Sequence, residues 1–584
     1  MSNPEILLQQ ILSQKPTEQQ KAAIFAEELE FLLRAAPGSG KTWTSCRRFI
    51  WRGANWPYSA GGLALLSFTN TAIREFQEAT IDVGRRDLLS DPNYVGTFDA
   101  FVERFILTPF GHLTVGLSKR PKLFVAPRPG DWNNKKLMAW TDFKGGRKAP
   151  VPAWEIVPYL ENGNTAFKAS MVYGGHKLES GYNPVRELMA LGYYTHAQRV
   201  HWACRLLFAR PHIAERIARR FPEIVIDEAQ DTNVWLLVLL NFLRMKGCKI
   251  TLIGDPDQCI YEFSMADATS LPVLKEKWKI PEKPLSQSFR CNSQIAAAVR
   301  NIGGNREFVG CGDGNNEHHR PYIIRDTADR FAHTVAEFEK RLEQAGIAEA
   351  SSAIICRAHQ QLEFIRGEVN YTKLKGITKH LAQASFFRDC RKDYKKAFQI
   401  VDEVLRSVVE DSAFWNRIDE SPDSEEAQQV KVLIWRFVKS QSGLPAVSLS
   451  GGQWISQLRE SLGKLIVDLG IKNVPNLNLR IKKTGLDAHQ IELPLFETHA
   501  LFPPIRQETI HQVKGQSIDA VLVLGSTKFW NSVVDAVTRG ANTEDRRLAY
   551  VAMTRARHLL FVGLPASHFD AHVEKWKEWG FSLL

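Results

Sequence analysis

Short apolar runs, each followed by a stretch of helical periodicity, recur in both halves of the chain. In the N-terminal part they are Phe31–Ala35, Leu63–Phe68, Tyr94–Gly96, Ile224–Ile226 and Ile250–Ile253; towards the C-terminus they are Ala353–Cys356, Ala520–Leu524 and Leu559–Val562. Strand-length apolar runs alternating with helical stretches predict βα units, and hence a parallel sheet in each part. Two stretches break the pattern. Residues from about 106 to 200 are rich in Trp, Pro, Gly and Lys; those from about 380 to 500 read as mostly helical, with an acidic polar connector at Asp419–Glu426. Both are expected to be insertions, so the fold class is α/β with two parallel-sheet domains, each carrying an inserted, mainly helical subdomain. No period of 20 to 50 residues repeats, which excludes a solenoid or propeller.

Composition narrows the picture. With 584 residues, 44% apolar and 24% charged, the chain has the make-up of a folded multidomain protein and excludes a disordered or fibrous one. The formal net charge of +11 favours a polyanionic partner. The longest apolar run, Val234–Leu240 with Phe242 and Leu243, is far short of the ~20 residues that cross a bilayer. No membrane partner is expected, and an N-terminus without a basic start or apolar stretch points to the cytoplasm. The eight cysteines form no CxxC pair, which argues against a zinc finger or an iron–sulfur cluster.

The chemistry begins after the first predicted strand. Ala36-Pro37-Gly38-Ser39-Gly40-Lys41-Thr42 leads into a helical run, giving the order of strand, loop and helix that a P-loop needs. Its glycines let backbone N–H groups turn inward on phosphates, Lys41 brings a point charge, and Thr42 presents a hydroxyl to Mg²⁺ at a helix N-terminus. A second group, Asp227-Glu228-Ala229-Gln230-Asp231, stands directly after a strand, at the end of a parallel sheet where ligands bind. Asp227 is expected to hold Mg²⁺ and Glu228 to orient the attacking water of phosphoryl transfer. A third group, Gly254-Asp255-Pro256-Asp257-Gln258, follows the next strand.

In order along the chain stand Pro16-Thr17-Glu18-Gln19-Gln20, the P-loop, Ser67-Phe68-Thr69-Asn70, Gly96-Thr97-Phe98-Asp99-Ala100-Phe101, the two acidic groups, Gln287-Ser288-Phe289-Arg290, His511-Gln512-Val513-Lys514-Gly515 and Arg547–Ala556. With this ordered set the chain resembles the UvrD/Rep family of superfamily 1 helicases. The resemblance implies two RecA-like domains with ATP and Mg²⁺ in the cleft between them, moving 3′ to 5′ on single-stranded or partly duplex DNA. The expected division is 1–105 with 200–284 for the first domain and 106–199 for its insertion. The second domain would take 285–380 with 500–584, and its insertion 381–499.

By the same resemblance Gln20 would read the adenine edge and Gln258 would couple the γ-phosphate to the DNA side. Arg290 and Arg555 would act as arginine fingers. Guanidinium groups delivered across a cleft stabilise the transition state only when the domains close. Phe68, Tyr261 and Phe263 would stack on bases; Thr69, Asn70 and Thr97 would meet phosphates, and His511 belongs with these DNA contacts. Read from its position alone, Phe68 at a strand end equally fits core packing.

Three motifs depart from the family pattern. Ser517 stands where the family has the Glu that contacts the ribose, Phe263-Ser264-Met265-Ala266 replaces Trp-Arg-Gly-Ala, and Asp99 replaces a His. Asp99, with Phe101-Val102-Glu103 and Pro109-Phe110, looks like the compact UvrD-like helicase subunit of Gabija antiphage systems. That implies a role in bacterial antiphage defence beside an OLD-type TOPRIM nuclease. A DNA-end-sensing ATPase that licenses such a nuclease without processive unwinding is the other reading. Basic clusters at Lys119–Lys122, Lys144–Lys148, Arg216–Arg220, Arg388–Lys396 and Arg480–Lys483 are phosphate grips or solvated faces. Glu317-His318-His319 reads as a loop rather than a metal site.

Overall fold

The computed structural model describes residues 4–584 except 126, 128–133, 144–146, 172–173, 261–269, 305–306, 313–318, 327–331, 358–361, 363–375, 390–391, 410–411, 422–423, 448, 450, 472–473, 475–476, 478–480 and 482–504. Two six-stranded parallel sheets organise it. The first comprises β1 (Leu32–Ala35), β2 (Leu63–Ser67), β3 (Tyr94–Thr97), β4 (Glu223–Ile226), β5 (Lys249–Gly254) and β6 (Glu282–Leu285), in the spatial order β6-β1-β5-β4-β2-β3. The second comprises β7 (Pro321–Asp326), β8 (Ser352–Cys356), β9 (Arg506–Thr509), β10 (Ile518–Leu524), β11 (Ala556–Pro565) and β12 (Ser582–Leu583), in the order β9-β8-β10-β11-β7-β12.

Every expected strand is present within two or three residues of its expected ends. β6, β7, β9 and β12 carry weaker signals: Pro284 interrupts β6, β9 is the polar Arg-Gln-Glu-Thr, and β12 is two residues long. The apolar strands are buried on both faces, as parallel strands covered by helices must be; β2, β4 and β8 have no exposed residue.

The helix that follows the P-loop, Lys41–Ala54, is tied to its neighbours by two arginines of its second half. Arg52 near its C-terminus makes a two-point contact with Glu223 at the start of β4. The fully buried Arg48 donates to the carbonyls of Ala23 (3.0 Å), Ala26 (3.2 Å) and Glu28 (2.7 Å). It thereby caps the C-terminal end of helix Glu18–Ile24, where unpaired carbonyls favour a cation.

The two insertions differ in kind. Residues 377–469 form five helices among the described residues around Trp454, Phe437, Val401, Leu405 and Leu458, as the periodicity predicts. The first insertion, expected to be mainly helical, is built at its centre on antiparallel strands: 138–143 pairs with 147–152, and 156–161 with 164–169, which in turn pairs with 177–178. Alternating residues and the two-residue Asn162-Gly163 turn, both at positive φ, dictate this, because such a turn closes a hairpin.

Helix His196–Ala209 packs beneath these strands. Gln198 donates to the carbonyls of Ala153 (2.7 Å) and Ile156 (3.0 Å), and the Trp235 indole donates to that of Pro158 (2.9 Å). His201, fully buried between Phe167, Trp202 and Trp235, has no partner for either ring nitrogen.

Burial, reinforced by Arg205, lowers the His201 pKa to about 3. The folded state therefore keeps the ring neutral, while the unfolded chain takes up a proton below its ordinary value near 6.5, so stability falls as pH drops through 6.5 towards 3. Between pH 7 and 5 the native protein should lose about 2 kcal/mol more than the His201→Phe variant; parallel unfolding titrations at the two pH values check this.

Candidate active site

The P-loop starts at the C-terminal end of β1 and the acidic turn at the C-terminal end of β4, with β5 between them. Gly38 and Gly40 take positive φ values of 72° and 74°, which let the loop turn over the N-terminus of the helix that begins at Lys41. Lys41 Nζ lies 2.5 Å from Glu228 Oε2. Thr42 Oγ1 lies 3.4 Å from Asp227 Oδ2, and Ser45 Oγ 3.5 Å from Asp227 Oδ1. Burial pushes the Asp227 carboxyl up, against the pull of Lys41 and with the help of the Glu228 charge. Burial acts on Glu228 too, but Lys41 and Lys514 outweigh it and hold that carboxyl low. Two adjacent carboxylates are thus driven apart in proton affinity, which leaves Glu228 ionised.

Glu228 itself adopts φ 57°, ψ 38°. A left-handed glutamate is strained, and such strain persists only where its surroundings enforce it. Here Asp227 N–H donates to Leu66 O and Asp231 N–H to Glu228 O, both at 2.9 Å, while the Gln230 amide donates to the Glu228 carboxylate.

Gln20 sits beside the loop. Its Nε2 donates to Ser39 O at 3.2 Å, and its Oε1 accepts from Thr17 N in a capping box. The glutamine expected to read a base edge therefore also braces the P-loop.

The second sheet closes the other wall. The chain crosses over at residues 285–287, where Gln19 bonds Ser286 through both amide atoms, and continues as strand Gln287–Asn292. Phe289 N–H donates to Gly38 O at 2.8 Å; a methyl group on Gly38 would stand 2.5 Å from Arg290 Cβ and 2.8 Å from Ser288 Oγ. Arg290 Nε donates to Ser517 Oγ at 2.8 Å and its Nη1 to Thr554 O at 3.3 Å. Arg555, fully buried, donates to Gln258 Oε1 at 3.3 Å, while Gln258 Nε2 donates to Asp255 Oδ2 at 2.7 Å. Burial and neighbouring Arg290 lower the Arg555 pKa to about 9, which leaves it a cation at neutral pH.

Lys41, Thr42, Asp227, Glu228, Gln258, Arg290 and Arg555 thus converge on one cleft. Across its two walls run three further contacts. Lys514 Nζ donates to both Asp231 oxygens at 2.7 Å, His511 Nε2 lies 3.1 Å from Ile260 O, and Arg547 Nε donates to Cys259 O at 2.6 Å.

The description "UvrD/REP helicase N-terminal domain" matches residues 16–139 and 183–279, and "UvrD-like helicase C-terminal domain" matches 322–566. The chain belongs to the UvrD/REP helicases. It is similar to DNA helicase II of Escherichia coli (strain K12), with 23% identity over 93% of this chain and 83% of the relative. The same figures hold for DNA helicase II of Salmonella typhimurium. ATP-dependent DNA helicase UvrD1 of Mycobacterium tuberculosis (strain H37Rv) is 24% identical over 62% of this chain and 49% of its own length. The two sheets are the RecA-like pair of this family, and the chain is an ATP-dependent DNA helicase.

The residues expected at DNA lie at the opposite edge of the first sheet, where Ser67 and Thr97 are paired across β2 and β3. Thr69 and Thr97 are N-caps whose hydroxyls accept from Ala72 N and Ala100 N, each at 3.2 Å. Thr69 and Asn70 are exposed, while Phe68 is half-buried with its ring 4.9 Å from that of Phe98. His511 stands between the sheets rather than beside this group. Tyr261, Phe263, Ser264, Trp132, His318 and the cluster ending at Lys483 lie outside the described residues.

Another expectation is corrected by burial. Arg388, placed in a basic cluster, is buried in the helical insertion, where it donates to Val438 O and Pro445 O. Arg220, in another cluster, is not buried: it bonds the exposed Asp91 at 2.8 Å, in keeping with a solvated face. Sequence reasoning gave no role to Lys514, although it stands in a quoted motif, nor to Arg199, which at 3% exposure lies 2.6 Å from Asp99. No motif or periodic signal marked Arg199, because an exposed carboxylate in the first turn of a helix is already favoured there.

Gly38→Ala should cut ATP turnover at least tenfold, because a positive φ and a 2.5 Å contact both oppose the methyl group; steady-state hydrolysis with circular dichroism as a folding control measures it. Lys514→Met, which strips the Asp231 carboxylate of its cation, should cost about 3–5 kcal/mol of stability, and adding Asp231→Leu should recover most of the loss; urea unfolding of both variants reads the difference.

Proposed function

We propose that this helicase translocates 3′ to 5′ on single-stranded DNA by closing its two sheets on ATP and Mg²⁺. The observation that carries the reading is the Asp255–Gln258–Arg555 chain of hydrogen bonds, which links the strand between the P-loop and the acidic turn to the second sheet. Thr42 and Asp227 supply the hard oxygen donors that suit Mg²⁺, and the ion when bound would neutralise phosphate charge.

Lys41 exchanges its bond to Glu228 for the β- and γ-phosphates, which frees the Glu228 carboxylate to orient and polarise the attacking water. Arg290 and Arg555 then meet the charge that develops on the transferred phosphoryl group. Phe68, with Tyr261 and Phe263, takes the bases, and Thr69, Asn70 and Thr97 take the phosphates at exposed helix starts. The division into 1–105 with 200–284, 106–199, 285–380 with 500–584, and 381–499 is the arrangement we assign to this motor.

A second reading is favoured by Asp99. Its bond to buried Arg199 supports treating it as a built feature of the motif and not a chance replacement. We therefore also propose that the chain serves antiphage defence, as an ATPase that senses DNA ends and licenses an OLD-type TOPRIM nuclease.

Glu228→Gln should lower DNA-stimulated hydrolysis by at least ~100-fold, and Arg555→Ala by ~10³-fold with nucleotide binding retained. Strand displacement on duplexes with a single 3′ or 5′ tail decides between the readings. Unwinding confined to the 3′-tailed duplex supports the translocase, whereas hydrolysis without unwinding supports the sensor.

A further inference from the structure

Arg290, on strand Gln287–Asn292, and Arg555, just before β11, rest on one short turn. Between His511 and β10, Lys514 is bonded to Asp231 of the acidic turn, Gln516 O accepts from Arg555 Nη1 at 3.4 Å, and Ser517 Oγ accepts from Arg290 Nε at 2.8 Å. The turn is therefore fixed to the first sheet by a buried ion pair and to each arginine by a hydrogen bond. Arg290 has little freedom at its backbone, since the Gly38 carbonyl accepts from Phe289 N–H and the space beside Arg290 Cβ is filled by the P-loop. Among the described residues its guanidinium is held at two further points, Ser517 Oγ and Thr554 O.

The Thr554 carbonyl is backbone and would be supplied by any residue. Among the described residues the Ser517 hydroxyl is the side-chain group bonded to the guanidinium. It takes Nε while Thr554 O takes Nη1; an arginine fork needs such preorganisation to act on a phosphoryl oxygen.

We propose that Ser517 is a positioning residue for hydrolysis: its hydroxyl holds the Arg290 guanidinium in register with the P-loop, so that the finger is oriented before the phosphoryl group is transferred. This rests on the reading of Arg290 as a finger. Ser517 Oγ is bonded to Arg290 Nε, and in this proposal it acts through Arg290. Loss of the hydroxyl should therefore lower the rate of the chemical step while nucleotide is bound as before.

The test compares Ser517→Ala, Ser517→Thr and Arg290→Ala in the full chain. It uses steady-state ATP hydrolysis with single-stranded DNA, and binding of ADP alone against ADP with orthovanadate, a mimic of the phosphoryl transition state. Ser517→Ala should lower kcat about tenfold with KM for ATP within twofold, as expected when an interaction made in the transition state is lost. It should weaken ADP–vanadate binding by the same factor and leave ADP binding unchanged, and Ser517→Thr, which keeps the hydroxyl, should restore kcat.

Unchanged kcat in Ser517→Ala beside a collapse in Arg290→Ala would overturn the positioning role and leave the finger standing. Unchanged kcat in Arg290→Ala would remove the finger and this inference with it. Equal loss of ADP and ADP–vanadate binding, or failure of threonine to rescue, would mark Ser517 as a fold-supporting residue and overturn the proposal.

Discussion

Lys514 and Asp231 belong to different sheets and meet where water scarcely reaches, at 11% and 7% side-chain exposure. An ion pair so placed gives little net stability, because each partner loses its hydration, but each makes the other's absence costly. What it confers is registration. It sets the loop entering β10 against the acidic turn, and hence the height of both arginines relative to the phosphates. Glu228 feels it directly, since Lys514 is one of the charges that keep that carboxylate ionised.

The cleft is consequently a network of exchanged partners rather than a set of waiting groups. Lys41 holds Glu228, Gln20 holds Ser39, Gln258 holds Asp255 and Arg555, and Ser517 holds Arg290. Each of these side chains finds its partner within the protein. In the proposed motor, nucleotide entry would substitute one set of hydrogen bonds for another, and the difference between the two sets would supply the free energy of closure.

Most of this was legible in the chain itself where physics acts locally. The P-loop, the acidic turn and the Gly-Asp-Pro-Asp-Gln group each follow an apolar strand, and strand, turn and helix are fixed within a dozen residues. The helical insertion was readable because its period is regular. The first insertion was not: its strands are short and rich in Pro, Lys and Trp, so their pattern comes from hairpin pairing. Pairings between distant residues, such as Arg290 with Ser517, 227 positions apart, or Asp99 with Arg199, leave no periodic trace. The position of Gln20 was foreseen, but not that its amide is shared between a helix cap and the P-loop.

The attachment of the first insertion has an evolutionary consequence. Residues 140–182 fall outside the family match, yet Gln198 and Trp235 fasten that stretch to the frame through the carbonyls of Ala153, Ile156 and Pro158. Main-chain carbonyls are the same whatever side chain they carry. The joint therefore constrains the path of the strands and not their spelling, so this part of the chain is free to diverge in sequence while staying docked on the two helices that carry Gln198 and Trp235.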